Sequence, residues 1–428
     1  MIVKSQLKVL YVCPFAHYTG HFSWAAVHET HALAAANIDI RLLTFCGVTD
    51  KARVTVPQSI VREHTTVGTP LYHLANYLRR WKGIGFISMF IEAFMTQSVA
   101  SRLRKRDGYD IIHLRDGEPF LFLPHIFGSF NKGCHWLVSL TGSVFITKPP
   151  SSAEIKKNLR LFLYSLYIKA INSRLWKPFY RRSLSRNHFL FIAQNPKIKQ
   201  IAEQYMDGVL AGKVLSLELG VDGVEKVISK KEARRYFGLP QDRPVFLSFG
   251  FLHAGKDVET VFKAMKDIPA AYLLHGGDQM FRLNLPDSVS LVDKYKMTQR
   301  AIINDRYIPE EEKPYYFFAS DAVVLSYTRQ FLSTTSLLWQ ACRFGIPVIA
   351  SDNGQLGKMV YTHNVGLVFK AQDAGSLRKA MVSFINLRPG ELRELKSNCH
   401  RFAREFSLES WAEKCLQIYH KLLAGRTL

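Results

Sequence analysis

Four consecutive hydroxyl residues, Ser333, Thr334, Thr335 and Ser336, stand directly before an apolar run that begins at Leu337. This order is typical of a helix N-terminus, where backbone N–H groups lack intrahelical partners and carry the positive end of the helix dipole. A phosphate binds well at such a position, and hydroxyl groups add further donors. Ser333 or Thr334 could instead do no more than cap the helix. Since Thr335 and Ser336 go beyond what one cap needs, they keep an anion-binding hypothesis open.

A second candidate is Lys256, in the stretch SFGFLHAGKDVETV. The pattern predicts a strand that ends at Gly250, a loop of small residues, and a helix that begins at Lys256. A lysine at a helix start opposes the dipole, which suggests a counter-charge for a phosphate; a solvated surface lysine is the alternative. Another predicted strand ends in Gly276 and Gly277, where the backbone could approach a ligand closely or simply turn.

The first half of the chain offers weaker candidates. Gly20 lies between the first predicted strand and helix, but a single glycine is weak evidence for dinucleotide binding. His113, Arg115, Asp116 and Glu118 gather at a later strand end, where they could supply acid–base or acceptor-binding groups. The sequence does not rank these four residues. It contains no HExxH motif and no Walker loop, so we expect neither a metal site nor a bound cofactor.

Short apolar runs alternate with helical patterns along the chain, and the alternation restarts near residue 220. Alternating strands and helices predict α/β domains with parallel, doubly wound sheets. We therefore predict two Rossmann-like domains, over residues 1–219 and 220–405, and a final helix within 406–428 that returns to the first domain. In open α/β sheets ligands bind outside the carboxyl ends of the strands, so we expect both sheets to face a central cleft.

The charge of the chain is strongly positive, with 57 Lys and Arg against 35 Asp and Glu, a net of +22. Such a surface favours anionic partners. Two segments concentrate the charge: Lys148–Lys199 has a net of +11 and Tyr72–Arg106 a net of +6. Both interleave basic residues with Trp, Phe, Tyr and Leu, which suits helices that lie on an anionic membrane surface. A solvated basic face is the alternative, and no motif supports nucleic-acid binding.

The cysteines and the first residues of the sequence indicate the cellular compartment in which we expect the protein. The six cysteines show no CxxC and no metal-type spacing, so buried thiols in a reducing cytoplasm are expected. The first residues lack the h-region of a signal peptide. The most apolar window, Gly83–Ala100, contains Glu92 and Gln97, and we do not expect it to span a bilayer. These features predict a cytoplasmic protein that is peripheral on the inner face of the membrane.

Several stretches of the second half resemble the family 4 glycosyltransferases of the GT-B fold, also called glycosyl transferases group 1. They are LSLELGVD, RRYFGLPQDRPVFLSFGFLHAGKDVETVFKAM, LLHGG, YIPEEEKPYYFFASDAVVLSY and QACRFGIPVIASDNGQLGKMVYTHNVGLVF. The first half agrees more loosely, through KVLYVCPF, DIIHLRD and FIAQNPKI. The resemblance implies a UDP- or GDP-linked sugar donor held by the second domain and a glycan or lipid-linked acceptor held by the first. It also implies transfer with retention of configuration and without a metal.

The resemblance assigns roles to particular residues. Lys256 matches the lysine that contacts the donor phosphates, and Ser333–Leu337 match the helix start whose amides hold the pyrophosphate. Three departures stand out. Phe251 occupies the position of the family's usual arginine, and Leu332 and Gln340 occupy the positions of its two acidic residues, which are spaced eight apart. The histidine that often follows the first-domain strand is replaced within SLTGS. Gln340 could still hydrogen-bond a ribose hydroxyl. The lost carboxylates leave a catalytically impaired nucleotide-sugar-binding protein as the alternative function.

Overall fold

The computed structural model describes most of the 428-residue chain. The described ranges are 6–16, 21–45, 70–80, 85–115, 134–140, 169, 173–186, 188–205, 207–224, 226–252, 255–278, 288–331 and 335–425. The chain divides into two compact units. Unit 1 contains Met1–Leu219 together with Leu408–Leu428, and unit 2 contains Gly220–Ser407. Each unit has its own parallel sheet and its own buried core.

Unit 1 is built on a sheet of parallel strands. The strands are β1 (Lys8–Cys13), β2 (Asp39–Thr44), β3 (Ile111–Leu114), β4 (His135–Leu140), β5 (His188–Ala193) and β6 (Val214–Ser216). Their order across the sheet is β2-β1-β3-β4-β5-β6. Leu10 and Val12 face one apolar cluster while Tyr11 faces another, as the two-residue period of a strand requires. Both faces of the sheet are therefore buried, which explains the continuous apolar runs in the sequence.

Helices cover this sheet. They are α1 (His21–Ala35), α2 (Pro70–Arg80), α3 (Gly85–Asp107), α4 (Lys177–Arg186) and α5 (Pro196–Gln204), with a short 3-10 turn at Arg174–Trp176 before α4. The start of α5 shows why these helices begin where they do. Asn195 accepts a hydrogen bond from the Ile198 amide at 2.9 Å, and Pro196 takes the first helical position.

Unit 2 repeats the architecture. Its strands are β7 (Val245–Phe249), β8 (Tyr272–Gly276), β9 (Ala301–Asn304), β10 (Ala322–Leu325), β11 (Val348–Ser351) and β12 (Gly366–Phe369). They are parallel, in the order β12-β11-β10-β7-β8-β9. The helices are α6 (Lys230–Tyr236), α7 (Val258–Met265), α8 (Ser288–Lys294), α9 (Lys313–Ala319), α10 (Ser336–Arg343), α11 (Gly354–His363), α12 (Ala374–Ile385) and α13 (Pro389–Glu405). The order reverses between β7 and β10, and this switch point brings their carboxyl ends side by side.

The last helix, α14 (Leu408–Leu423), belongs to unit 1 although it follows unit 2 in the chain. Its buried face carries Trp411, Cys415 and Tyr419, which join the cluster that contains Tyr11 and Val27. The helix packs against α1 and completes the core on that side of the sheet.

The predicted α/β class with two doubly wound sheets is confirmed by these sheets. The sequence patterns did not single out β9 and β12, which are the two edge strands of unit 2. An edge strand has one partner and is partly exposed, so it lacks the buried apolar run that marks a central strand. None of the five described cysteines forms a disulfide, and all five are buried. No helix in the described ranges is long and apolar enough to cross a bilayer.

Candidate functional site

Two glycines shape the carboxyl edge of the sheet in unit 2. Gly250 follows β7 with φ +85°, a conformation that other residues rarely adopt. Gly277 follows β8 with φ +157°, and a Cβ there would collide with the Gly250 carbonyl group. At Gly276 a Cβ would lie 2.5 Å from a ring carbon of Tyr316. The backbone is therefore bare at these three positions: neighbouring atoms leave no space for a side chain at Gly276 and Gly277, and the backbone conformation disfavours one at Gly250.

Lys256 projects its amine to this edge. Contrary to our expectation, it does not begin a helix: Asp257 caps α7, and Lys256 forms an isolated β-bridge with Tyr327. Its Nζ donates to the Phe249 carbonyl oxygen and, at 3.0 Å, to that of Gly250. Burial lowers the pKa of Lys256 to about 7, and no described carboxylate contributes to the shift. The amine thus lacks a counter-charge in the described part of the chain.

Backbone hydrogen bonds fix Lys256 beside the end of β10. The Asp257 amide donates to the Ser326 carbonyl oxygen at 3.0 Å, and the Thr328 amide donates to that of Gly255 at 2.9 Å. These bonds flank the bridge between Lys256 and Tyr327, so the residues just before α7 pair with the residues just after β10 in a short antiparallel ladder.

The start of α10 is tied to the same ladder. The Tyr327 hydroxyl donates to Thr335 Oγ1 at 2.7 Å, and burial raises the pKa of Tyr327 to about 12. Thr335 is the N-cap of α10, since its Oγ1 also accepts from the Leu337 amide at 3.3 Å. Ser336 is exposed in the first turn. Ser333 and Thr334, predicted to share this role, lie outside the described residues.

Leu337 brings the helix start close to the lysine. Its methyl groups lie 3.5 and 3.6 Å from the position of a Cβ on Gly250, and Lys256 Nζ lies 3.5 Å from the same point. The Leu337 amide, which the resemblance assigns to the pyrophosphate, donates here to Thr335 Oγ1 at 3.3 Å. An anion at this position would compete with Thr335 Oγ1 for the amide, and the Thr335 hydroxyl hydrogen would be a further donor to the anion.

Gln340 lies one turn further along α10. Its Oε1 atom is buried and makes no hydrogen bond among the described residues. An unsatisfied buried acceptor is unfavourable unless a ligand or water supplies the donor. The predicted contact of Gln340 with a ribose hydroxyl would supply one.

Phe251 and Tyr307 form an aromatic pair beside the glycines. Phe251 comes directly after Gly250, and its ring centroid lies 6.2 Å from that of Tyr307, with an interplanar angle of 35°. Burial, together with the charges of Glu310 and Glu311, raises the pKa of Tyr307, which therefore stays neutral. Sequence reasoning missed Tyr307 and Tyr327; both lie just beyond the end of a strand, which is the one signal that could have found them.

His113 has a different position from the one we predicted. It is fully buried in β3, with Nδ1 at 2.7 Å from the Tyr419 hydroxyl and Nε2 at 2.8 Å from Ser139 Oγ. Burial and the nearby Arg115 lower its pKa to about 3, so the ring is neutral. Both ring nitrogens contact protein groups, so His113 joins β3, β4 and α14, and its catalytic role stays a prediction.

Arg115, at the end of β3, forms a buried ion pair with Glu29 of α1 at 3.1 Å. Glu29 also accepts a hydrogen bond from the Tyr11 hydroxyl at 2.5 Å. With its amide oriented to suit, Gln194 accepts from the same guanidinium at 3.1 Å. These contacts hold β1, β3, β5 and α1 together at the carboxyl edge of the unit 1 sheet.

Three predicted residues of the first domain, Gly20, Asp116 and Glu118, lie outside the described residues. In the ranges that the structure covers, no group of three or more His, Cys, Asp or Glu side chains is arranged to hold a metal ion.

The two parallel six-stranded sheets and the likeness to solved structures place this chain among proteins with the GT-B fold of glycosyltransferases. Residues 229–406 match the family Glycosyl transferases group 1. A D-inositol 3-phosphate glycosyltransferase from Rhodococcus erythropolis is 27% identical over 200 residues, which span 45% of this chain and 44% of that protein. The aligned stretch therefore covers less than half of that relative. The resemblance predicted from the sequence is confirmed.

Solved structures match over nearly the whole chain. Sucrose-phosphate synthase from Thermosynechococcus elongatus superposes with a TM-score of 0.70 and 20% identity, covering 98% of this chain and 100% of the other. An Anabaena protein crystallised with UDP-glucose gives a TM-score of 0.67 and 14% identity, covering 97% of this chain and 100% of the other. At these identities the likeness establishes a shared fold.

Proposed function

We propose that the protein is a glycosyltransferase that transfers a sugar from a nucleotide-sugar donor to an acceptor, with retention of anomeric configuration. The carrying observation is the position of Lys256. Its Nζ lies beside the backbone of Gly250, 3.5 Å from the position that a Cβ on Gly250 would take. The methyl groups of Leu337, at the start of α10, are in contact distance of the same position. A cation, a helix N-terminus and an edge without side chains together fit a diphosphate group.

The family match and the relative from Rhodococcus support transfer of a glycosyl group. The Anabaena neighbour, solved with UDP-glucose, supports a nucleotide-sugar donor. In this proposal unit 2 holds the donor and unit 1 holds the acceptor, as the resemblance implies for the two halves of such chains.

The chemistry of the reaction explains what Lys256 would do. Breaking the sugar–phosphate bond develops positive charge on the sugar, as in glycoside hydrolysis, and negative charge on the departing diphosphate. The Lys256 ammonium and the α10 dipole would stabilise that leaving group as its charge grows. We propose that these two groups supply the positive charge, so that the reaction proceeds without a metal. The departing diphosphate itself would accept the proton of the acceptor hydroxyl.

Calorimetric titration with UDP, GDP, ADP and dTDP, and with their sugar conjugates, tests the donor site. A matching nucleotide should bind the wild type, and Lys256→Ala should weaken that binding at least tenfold, since a hydrogen bond to a charged group contributes about 1.5–3 kcal/mol. The anomeric configuration of an isolated product, read by NMR, tests retention. Turnover after treatment with EDTA tests metal independence.

A catalytically impaired binding protein is the second candidate. Gln340 stands where the family carries a carboxylate, and its Oε1 is left for a ligand. Hydrolysis of the bound donor in the absence of an acceptor separates the two candidates. Slow release of free sugar supports the enzyme, whereas tight binding without any release over hours supports the binding protein.

We further propose that the protein acts at the inner face of the membrane on a lipid-linked or envelope-polysaccharide acceptor. In the part of the basic segment that the structure describes, Leu175 is 81% exposed and Phe179 is 45% exposed, beside exposed Arg181 and Arg182. On α2, Leu71, Leu74 and Tyr77 are also exposed. Apolar side chains among cations suit the headgroup layer of an anionic bilayer.

A vesicle assay tests the membrane proposal. Arg181→Glu with Arg182→Glu should reduce binding to phosphatidylglycerol vesicles at least about thirtyfold, since each of the two cations near an anionic surface contributes about 1 kcal/mol. Lys177 is left unchanged because it already pairs with Asp207 at 2.9 Å. The control is a double variant with the same charge change on another surface. It combines Lys396→Glu and Arg401→Glu, at two exposed positions on α13. Equal loss in both double variants, or no loss in either, would reject this surface.

A further inference from the structure

Asn353 occupies the N-cap position of α11 but does not cap the helix with its side chain. An asparagine at an N-cap usually accepts a hydrogen bond from an amide of the first helical turn. Here the side-chain amide donates instead to two carbonyl oxygens of the segment after β10, that of Thr328 at 2.9 Å and that of Phe331. The Oδ1 atom of Asn353 is buried and makes no hydrogen bond among the described residues. The side chain thus forgoes a helix cap and holds a different segment of the chain.

The segment that Asn353 holds is a turn over residues 328–331, which we call the β10 turn. The Phe331 amide donates to the Thr328 carbonyl oxygen at 2.9 Å and closes this turn. The Phe331 ring also stacks on that of Tyr327, with the ring centroids 4.1 Å apart and the planes 20° from parallel. Because Asn353 contacts the first and the last residue of the β10 turn, it fixes both ends of the turn at once.

The β10 turn lies between two parts of the proposed donor site. The Thr328 amide donates to the Gly255 carbonyl oxygen at 2.9 Å, directly before Lys256. Just before the turn, the Tyr327 hydroxyl donates to Oγ1 of Thr335, the N-cap of α10, at 2.7 Å. A displacement of the β10 turn would therefore move the lysine and the helix start relative to each other.

Arg329 also ties the β10 turn to its surroundings, at the end of β12, but its contacts are weaker. The Arg329 amide donates to Gln372 Oε1 at 3.3 Å, and Arg329 Nε donates to the Ala371 carbonyl oxygen at 3.4 Å. Both distances lie beyond the usual range of N–H···O hydrogen bonds, and Arg329 is exposed. The shorter contacts of the half-buried Asn353 therefore make it the stronger anchor of the turn.

Resting on the donor site of the proposed function, we propose that Asn353 is a positioning residue for the diphosphate of the donor. It sets the distance between the Lys256 amine and the amides at the start of α10 through the β10 turn, without touching the ligand. A side-chain amide supplies the two N–H donors that two carbonyl oxygens require. An aspartate has the same shape but would place a carboxylate oxygen against both carbonyl oxygens.

Hydrogen exchange and titration calorimetry of the full chain test this role, with inorganic pyrophosphate, UDP, GDP and ADP as probes. In Asn353→Asp and Asn353→Ala, amide exchange in peptides that cover residues 326–331 should be about tenfold faster, because two hydrogen bonds of the turn are lost. Pyrophosphate and the preferred nucleoside diphosphate should both bind about tenfold more weakly, and by the same factor, because the diphosphate is the part that they share.

Ser229→Ala is the matched control in the same unit. Ser229 Oγ accepts from the Glu232 amide at 3.2 Å and caps α6, so its loss should lower the melting temperature. Exchange in residues 326–331 and both affinities should nevertheless stay at the wild-type values, because α6 does not take part in the β10 turn.

Three results would overturn the role of Asn353. Unchanged exchange of residues 326–331 in both variants would show that another group fixes the turn. Faster exchange with unchanged affinity would separate the turn from the diphosphate site. An equal loss of affinity in Ser229→Ala would assign the effect to general stability. Failure of the proposed function has its own signature: the wild type would bind neither pyrophosphate nor any nucleotide, and the positioning role would fall with it even if exchange of the turn were faster in both variants.

Discussion

The backbone of Gly277 lies against the carbonyl group of Gly250, so closely that no side chain fits at Gly277. The same carbonyl oxygen accepts a hydrogen bond from Lys256 Nζ at 3.0 Å. Gly277 therefore fixes the position of the Gly250 carbonyl group, and this carbonyl group in turn holds the amine of Lys256.

Replacing Gly277 by alanine should damage both stability and binding. The new methyl group would push the Gly250 carbonyl away, and the residue would be strained at φ +157°. We expect a loss of about 1–3 kcal/mol in the free energy of unfolding of unit 2 and at least tenfold weaker diphosphate binding. Gly223→Ala, at a position with open space, is the control and should behave as wild type. Urea unfolding and calorimetry give the two values; a Gly277→Ala protein with unchanged affinity would contradict the prediction.

Diphosphate binding should weaken as pH rises above 7. Burial lowers the pKa of Lys256 to about 7, so the unliganded protein loses this proton between about pH 6 and 8. An anion binds the ammonium form, and above pH 7 binding must therefore take up a proton. We expect affinity to fall by up to about tenfold per pH unit above pH 7. Phosphate groups are already ionised there, since their second pKa is near 6.

Lys256→Arg provides the matched variant for this pH dependence. A guanidinium stays charged throughout the range, so affinity in the variant should be nearly independent of pH from 7 to 9. Calorimetry in two buffers with different protonation enthalpies would measure proton uptake directly. A flat profile in the wild type would mean that Lys256 is charged before the ligand arrives.

The bond between Tyr327 and Thr335 should couple the helix start to the lysine loop. Tyr327→Phe removes a hydrogen bond of 2.7 Å and should lower the free energy of unfolding by about 1 kcal/mol. Thr335→Ala removes the helix cap as well and should lower it by about 1–2 kcal/mol. Because the two changes break the same bond, the double variant should lose less than the sum of both. Strict additivity in chemical denaturation would show that the bond carries no stability.

Unit 1 should lose stability in acid because of His113. Its pKa is about 3 in the folded protein and near 6.5 when unfolded, so below pH 6.5 only the unfolded chain takes up a proton there. Stability is therefore complete above pH 6.5 and falls on acidification toward pH 3, by up to about 1.4 kcal/mol per pH unit from this residue. His113→Gln should be less stable at pH 7 but less sensitive to acid, whereas the exposed His420→Gln should keep the wild-type slope. Identical slopes in all three proteins would contradict the assignment.

The central strands of both sheets could be predicted from the sequence because burial on two faces demands continuous apolar runs, as in Val245–Phe249 and Ala322–Leu325. Gly250 and Lys256 were singled out because each follows a predicted strand end, although the helix begins after Asp257 and not at Lys256. The N-cap of α10 was expected at Ser333 or Thr334 and lies at Thr335, because four adjacent hydroxyls carry the same local signal. The contacts of His113 with Ser139 and Tyr419 could not be predicted, because both partners are remote in sequence.

The placement of α14 in unit 1 has a consequence for synthesis. The sheet of unit 1 leaves the ribosome first, but the side chains that close its core, Trp411 and Tyr419, are translated only after the whole of unit 2. Until then His113 lacks its Tyr419 partner, and the apolar face of the sheet that α1 and α14 share is only partly covered. Domains generally fold as units during translation. Unit 2, which is continuous in the chain, can thus reach its native state before the last helix of unit 1 is made, so a chain truncated before residue 408 would carry a complete unit 2 and an incomplete unit 1.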